Sequence, residues 1–150
     1  MELVLFIGLQ ATGKSSFYYH RFRDTHVRIN LDMLRTRHRE QALLETCLAV
    51  QQPVVIDNTN VSRPERARYI AAAAGAGFRI VGYFFASALA DALRRNAARP
   101  AHQRVPDKGL GGTRARLERP SRAEGFDALY FVTLREDSGE FDVQEWVDEI

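Results

Sequence analysis

The chain has 150 residues, of which 45% are hydrophobic and 27% charged, and its net charge is +2. This length and composition predict one globular domain, 1–150, with a single core. No apolar run approaches the roughly 18 residues of a membrane-spanning helix, and the apolar start LVLFIG lacks the charged leader of a secretory signal. The single cysteine, Cys47, excludes an internal disulfide bond and fits a reducing compartment, so we expect a cytoplasmic protein with no membrane partner.

Short apolar runs alternate with helical patterns along the chain. Strands are expected at 2–7, 26–30, 54–57, 78–85 and 128–134, and helices at 14–23, 35–50, 62–77, 87–97 and 113–118. Beyond the last strand, the pattern allows a hairpin strand and a final helical turn around Trp146. The alternation predicts an α/β fold with three layers, in which helices cover a central, mostly parallel five-stranded sheet.

The stretch GLQATGKS follows the first strand and matches the phosphate-loop pattern G-x-x-x-x-G-K-[ST]. Its glycines let the backbone approach a ligand closely, so that amide N–H groups can surround a phosphate at the start of the next helix. Lys14 can reach the β- and γ-phosphates, and Ser15 can offer its hydroxyl to Mg²⁺. The predicted nucleotide-binding residues of this loop are Gly8, Ala11, Thr12, Gly13, Lys14, Ser15 and Ser16. The motif therefore predicts a P-loop NTPase-type fold that binds ATP, or another nucleoside triphosphate, with Mg²⁺.

Two aspartates follow predicted strands on the side of the sheet where such folds bind ligands. Asp32 comes after the second strand and Asp57 directly ends the third. A kinase needs a carboxylate that accepts the proton of the acceptor hydroxyl, and either residue can supply it. The alternatives are structural: Asp32 can cap a helix and Asp57 can form a turn. Arg35, three residues after Asp32, can bind a phosphate of the acceptor or lie exposed on a helix.

The segment 91–122 is strongly basic. It carries nine basic residues against the acids Asp91, Asp107 and Glu118. Such a segment beside a phosphate loop suggests a polyanionic ligand, with a solvated surface as the alternative. Arg95 and Arg99 are four residues apart, which places them on one helix face at the start of a predicted basic lid, about 95–112. Arginines on a lid can stabilise the transferring phosphoryl group.

Several stretches together resemble the 5′-kinase domain of polynucleotide kinases, as in the phage repair kinase and the eukaryotic kinase-phosphatase of DNA break repair. They are IGLQATGKSSF, VRINLDMLR, VVIDNTNVSRPERARY, RRNAAR followed by RVP, and LERPSRAEGFDAL, over about residues 3–134. The resemblance implies that Asp32 is the general base and that Arg35 binds the phosphate beside the acceptor nucleoside. It further implies an acceptor-side cluster of Asp57, Asn58 and Asn60, and donor-phosphate contacts from Arg99 with Arg95 as its neighbour.

The chain also departs from that family. Leu31 stands where the family often has an arginine before the base, which removes a phosphate contact and weakens the case for a long nucleic-acid acceptor. The stretch KGLGG, 108–112, replaces a more helical segment, so a looser lid end is expected. No D-x-D-x-T phosphatase motif occurs, so a repair enzyme of this kind would be the kinase half alone.

The first interpretation is therefore an ATP- and Mg²⁺-dependent kinase that phosphorylates the 5′-hydroxyl of a nucleic acid or a nucleotide-like acceptor. One alternative is a P-loop kinase for the hydroxyl of a small molecule. Another is a nucleotide-binding switch or partner protein with little transfer activity. The sequence leaves the choice between RNA and DNA, the choice between ATP and GTP, and the oligomeric state open.

Overall fold

A central β-sheet organises the chain, of which the computed structural model describes residues 1–148. Its strands are β1 Glu2–Ile7, β2 Val27–Ile29, β3 Val54–Ile56, β4 Arg79–Phe85, β5 Ala128–Leu134 and β6 Phe141–Glu145. Their order is β2-β3-β1-β4-β5-β6, in which β6 alone runs antiparallel to its neighbour. The five predicted strands are confirmed to within one residue at each end. The predicted count of five becomes six because the chain returns beside β5 as a hairpin.

Helices cover both faces of the sheet and give the predicted three layers. They are α1 Lys14–Arg21, α2 Leu31–Leu34, α3 Arg37–Ala49, α4 Arg63–Gly75, α5 Leu89–Ala98 and α6 Asp107–Arg116. Alternate side chains of β1 enter opposite core clusters: Leu3, Leu5 and Ile7 pack with residues of α3 and α4, whereas Val4 and Phe6 pack with Phe17 of α1. This alternation places the apolar run of β1 in the middle of the molecule.

The predicted helix at 35–50 is wrong at its start. The chain first forms the short helix α2, in which the Asn30 side chain caps the amide of Met33. Arg35 then adopts φ 76° and ends that turn, so α3 begins only after the N-cap residue Thr36. The alternative in which Asp32 caps a helix is therefore wrong, because Asn30 is the N-cap of α2.

Three other helix predictions also change. Ser87 does not cap α5; its hydroxyl accepts a hydrogen bond from the Leu9 amide and donates to the Phe85 carbonyl. The stretch 108–112 is helical within α6, where Leu110 is fully buried against Leu9 and Ala92, so the expectation of a less helical segment is wrong. The predicted final helical turn falls partly on residues 149 and 150, outside the described residues; Trp146 itself is not in a helix and is buried in the core, edge-on to Phe84.

The helices were also compared with the length and polarity that a membrane span requires. Within residues 1–148, every helix is too short or too polar to span a bilayer.

Candidate active site

A cavity of about 280 Å³ lies at the carboxyl ends of β1, β2 and β3. The sheet brings together there the loops that follow these three strands, although they are far apart in the sequence. Its lining includes eight of the predicted site residues, namely Ala11, Lys14, Ser15, Asp32, Asp57, Asn58, Asn60 and Arg99. The phosphate loop and the predicted acceptor turn therefore face one common space.

The phosphate loop is held in shape by its own side chains. Thr12 donates its hydroxyl to the Leu9 carbonyl at 2.8 Å, and the Lys14 ammonium donates to the carbonyls of Gly8, at 3.0 Å, and Leu9. Gly13 caps α1 with φ 94°, and a Cβ there would lie 2.9 Å from the Phe141 ring. A glycine is thus required at position 13 both by the backbone and by the hairpin that packs over it.

Burial lowers the pKa of Lys14 from 10.5 to about 8. Within this net shift Asp57 and Asp32 raise the pKa, while the neighbouring Arg99 also lowers it. The charges of both carboxylates and of the lid arginine are therefore close enough to Lys14 to change its pKa. A lysine with this pKa is still mostly protonated at neutral pH and can pair with a phosphate.

Ser15 and Asp57 offer oxygen ligands of the kind that Mg²⁺ takes from proteins. The Ser15 hydroxyl donates to Asp57 Oδ2 at 3.1 Å. Arg28 of β2, which the sequence reasoning missed, donates to Asp57 Oδ2 at 2.8 Å and to Ser15 Oγ at 3.0 Å. The two oxygens already face a cationic group, so they fit a metal ion that replaces these Arg28 contacts. Asp57 lies beside Ser15, and its predicted place in the acceptor cluster stays a prediction.

Two asparagines fix the turn that carries Asp32. The Asn30 side chain donates to the carbonyl of Asp57 at 2.6 Å, while its oxygen accepts from the Met33 amide. Asn58 accepts from the amide of Leu31 at 2.8 Å. Asp32 itself is exposed at the cavity, where an acceptor hydroxyl can reach it. Asn30, after β2, and Asn58, after β3, therefore hold the backbone of the turn that carries Asp32.

A buried glutamate joins this turn to two helices. Glu40 of α3 is 2% exposed and accepts hydrogen bonds from Arg37, Arg68 and Tyr69 on one oxygen and from Asn58 on the other. Burial alone would raise the pKa of Glu40, but the hydrogen bonds from Tyr69, Arg37 and Asn58 lower it overall. The sequence reasoning missed this glutamate. Its position four residues before the buried Leu44 was the available signal, because it places an acid on the apolar face of the helix.

Some predicted residues lie away from the cavity. Arg35 is exposed at the end of α2 and does not line it. Arg95 forms an ion pair with Glu136 at 2.8 Å. Pro100 follows Arg99, whose backbone is extended (φ −73°, ψ 153°), so the predicted shared helix face of Arg95 and Arg99 is wrong. Arg99 does line the cavity, and the roles predicted for Arg35 and Arg95 stay predictions.

The remaining predicted residues belong to the phosphate loop and the turn after β3. Gly8, Thr12, Gly13 and Ser16 form the loop and the start of α1 without lining the cavity. The Asn60 side chain donates to the Phe6 carbonyl at 2.7 Å, which ties the turn after β3 to β1. The Asn60 side-chain amide therefore holds two segments of the fold together, and the residue also lines the cavity.

Comparisons with known proteins agree with this arrangement. The family model described as "AAA domain" matches residues 3–120. A gluconokinase from Sinorhizobium meliloti 1021 has a TM-score of 0.62 at 19% identity, over 90% of this chain and 83% of the other. Kti12 from Chaetomium thermophilum, in complex with ADP-AlF3, has a TM-score of 0.64 at 15% identity, over 91% of each chain.

The Mycobacterium tuberculosis APS kinase CysC, in complex with AMPPNP and APS, is also similar, with a TM-score of 0.51 at 19% identity. The match covers 80% of this chain and 83% of that one. These likenesses show a shared P-loop kinase-like fold, and two of the similar proteins were solved with nucleotides or their analogues bound.

Proposed function

The chain belongs to the AAA domain family, and we propose that it is an ATP- and Mg²⁺-dependent kinase that phosphorylates a hydroxyl group of a small molecule. One observation carries the proposal: Lys14 of the phosphate loop and the carboxylate of Asp32 line the same cavity of about 280 Å³. A phosphate-binding group and a proton acceptor are the two parts that phosphoryl transfer to a hydroxyl requires.

In this mechanism the loop amides and the Lys14 ammonium bind the donor phosphates. Asp32 accepts the proton of the acceptor hydroxyl while the acceptor oxygen bonds to the γ-phosphorus. The bond from that phosphorus to the β–γ bridging oxygen breaks, and ADP leaves. Ser15 and Asp57 would hold Mg²⁺, which when bound neutralises charge on the β- and γ-phosphates. Arg99 adds positive charge at the same end of the cavity.

A small acceptor is favoured over a nucleic acid on the size and lining of the cavity. Its volume suits a compact ligand, and Leu31 offers no charge where a polynucleotide kinase often has an arginine. The gluconokinase and APS kinase that share the fold support the same choice. A 5′-hydroxyl of a nucleic acid is the second candidate, because six basic residues of segment 91–122 are exposed along α6 and its flanks: Arg104, Lys108, Arg114, Arg116, Arg119 and Arg122.

A transfer assay separates these candidates. The protein is incubated with γ-labelled ATP, Mg²⁺ and either small hydroxyl compounds or 5′-hydroxyl oligonucleotides of DNA and RNA. We expect label on a small compound and none on the oligonucleotides. Label on the oligonucleotides alone would favour the nucleic-acid kinase. Nucleotide binding without transfer to any acceptor, across sugars, sugar acids and nucleosides, would leave the nucleotide-binding switch as the better interpretation.

The lowered pKa of Lys14 predicts how nucleotide affinity depends on pH. Below about pH 8 the ammonium is already charged, so binding of a non-hydrolysable ATP analogue should be nearly independent of pH between 7 and 7.5. Above about pH 8 binding must take up a proton, so affinity should fall by up to about tenfold per pH unit. Calorimetric titrations from pH 7 to 9.5 measure this dependence.

The chain offers a matched control, because its only other lysine, Lys108, is exposed on α6. Lys14→Met should weaken binding and remove the decline above pH 8, whereas Lys108→Met should keep both affinity and decline. A decline that persists in Lys14→Met would assign the titration to another group.

A further inference from the structure

We propose that the acceptor carries an anionic group, a carboxylate or a phosphate, and that Arg37 and Arg68 bind it at the wall of the cavity formed by α3 and α4. This inference rests on the proposed kinase function and specifies its substrate class. Neither arginine was among the residues singled out in the sequence. Both line the cavity together with Lys14 and Asp32.

The two guanidinium groups are held in place from behind. Arg37 Nη1 lies 2.9 Å from Glu40 Oε1, and Arg68 Nη2 lies 3.0 Å from the same oxygen. The Tyr69 hydroxyl donates to that oxygen at 2.8 Å and accepts from Arg68 at 2.9 Å. A buried carboxylate and a buried phenol thus converge on two arginines from different helices, which fixes them side by side before any ligand binds.

The arrangement leaves positive charge and donors for a ligand. One Glu40 carboxylate offsets one guanidinium and leaves the other uncompensated. Among the described residues, hydrogen bonds use only one terminal nitrogen of each arginine, and the side chains of Arg37 and Arg68 remain 54% and 45% exposed. Glu65 and Asp32 also line the cavity, but among the described residues the ion pairs of Arg37 and Arg68 are with Glu40 alone.

Stabilisation of Glu40 does not by itself require both arginines. A single arginine, with the Tyr69 hydroxyl and the Asn58 amide, would already give this carboxylate a cation and two neutral donors. A second guanidinium adds a planar set of N–H groups suited to two oxygens of a carboxylate or phosphate. We therefore assign the pair to ligand binding and Glu40 to positioning it.

The donor end of the cavity has its own positive charges, Lys14 and Arg99. Those groups are engaged by the donor phosphates in the proposed mechanism. An anionic acceptor next to a triphosphate is repelled by it, and this repulsion is stronger in a cavity than in water. Arg37 and Arg68 supply a separate attraction on the acceptor side, so such an acceptor can bind while the donor is present.

A binding experiment tests this inference without relying on turnover. The donor site is filled with Mg²⁺, ADP and beryllium fluoride, so that an added anion cannot enter it. Three matched pairs are then titrated by calorimetry: gluconate with glucitol, glycerate with glycerol, and ribose 5-phosphate with ribose. We expect at least one anionic member to bind at least tenfold more tightly than its neutral partner. The carboxylate and phosphate arms distinguish the two kinds of anion.

The variants Arg68→Gln and Arg37→Gln should each reduce that preference at least tenfold. The matched control is Arg63→Gln, which removes an exposed arginine of α4 that does not line the cavity and should leave the preference unchanged. Unchanged ADP affinity verifies that each variant is folded. Because Arg37 and Arg68 lie on different helices, failure of one variant to fold leaves the other as the test.

Two further outcomes separate this inference from the proposed function. If no anionic member binds more tightly than its partner, the anion site is overturned, whatever the transfer assay shows. If the anionic preference is present and depends on both arginines, but no compound accepts label from ATP, the anion site stands and the kinase proposal fails. A preference that survives in both variants would also overturn the assignment to Arg37 and Arg68.

Discussion

Replacement of Asp32 by asparagine is expected to reduce phosphoryl transfer by about 10²–10⁴-fold in kcat, the usual contribution of a positioned proton acceptor. The change keeps the size of the side chain and removes its ability to take up a proton. The turn that carries residue 32 is held by Asn30 and Asn58, so the backbone should not move. The affinity for ATP should remain within about twofold, because Lys14 and the loop amides are untouched.

Steady-state kinetics with the acceptor that takes up label measure kcat, and calorimetry with a non-hydrolysable analogue measures affinity. Asp24→Asn is the matched control, since this aspartate has a side chain that is 87% exposed in the loop before β2. That variant should transfer phosphate at the wild-type rate. A rate for Asp32→Asn within tenfold of wild type would remove Asp32 from the mechanism and leave Asp57 as the remaining cavity aspartate for that role.

The second large effect concerns stability, and it arises from Arg66 of α4. This side chain is fully buried, although arginines are rarely buried without partners. Its Nε lies 2.9 Å from Glu124, and its Nη1 donates to the carbonyls of Asn60, Val61 and Glu118. A single guanidinium therefore joins α4, the turn after β3 and the segment before β5.

Arg66→Met should lower the free energy of unfolding by about 3–5 kcal/mol, because it leaves Glu124 without its cation and the carbonyls of Asn60 and Glu118 without the donor that Arg66 supplies. For a chain of this size that corresponds to a fall in Tm of roughly 10 °C or more. Urea denaturation and thermal unfolding measure both values. The control is Arg63→Met on the same helix, whose side chain is 59% exposed and which should change stability by less than about 0.5 kcal/mol.

A loss below about 1.5 kcal/mol for Arg66→Met would mean that water or neighbouring groups satisfy the freed partners. The variant also reports on the site, because Arg66 binds the carbonyl of Asn60, which lines the cavity. If the turn after β3 depends on this contact, nucleotide affinity should weaken as well as stability.

The sequence pattern identified the elements whose signals are local. The apolar runs that became β1 to β5 were found within one residue, since buried parallel strands are short, apolar and ended by glycine or polar residues. The phosphate loop was found because its function demands particular residue types at consecutive positions. Ser62 was correctly placed as the N-cap of α4, where its oxygen accepts from the amide of Glu65.

The sequence analysis missed residues whose position depends on a partner distant in the chain. A glutamate and an arginine on helices are usually exposed, yet Glu40 and Arg66 are buried because α3 and α4 each face charged or polar groups from other segments. Both lie on the apolar stripe of their helix, Glu40 before Leu44 and Arg66 before Ile70. An ionisable residue at such a position is therefore a signal for a buried network.

By itself, the sequence determined that this chain has a nucleotide-phosphate loop on a mostly parallel α/β sheet, because adjacent residues carry that information. The tertiary structure alone decided which arginines line the cavity. Arg35 ends α2 and does not line the cavity, while Arg37 and Arg68 meet at Glu40 from separate helices. Spacing along one chain cannot show this convergence, since it exists only after α3 and α4 pack against the same face of the sheet.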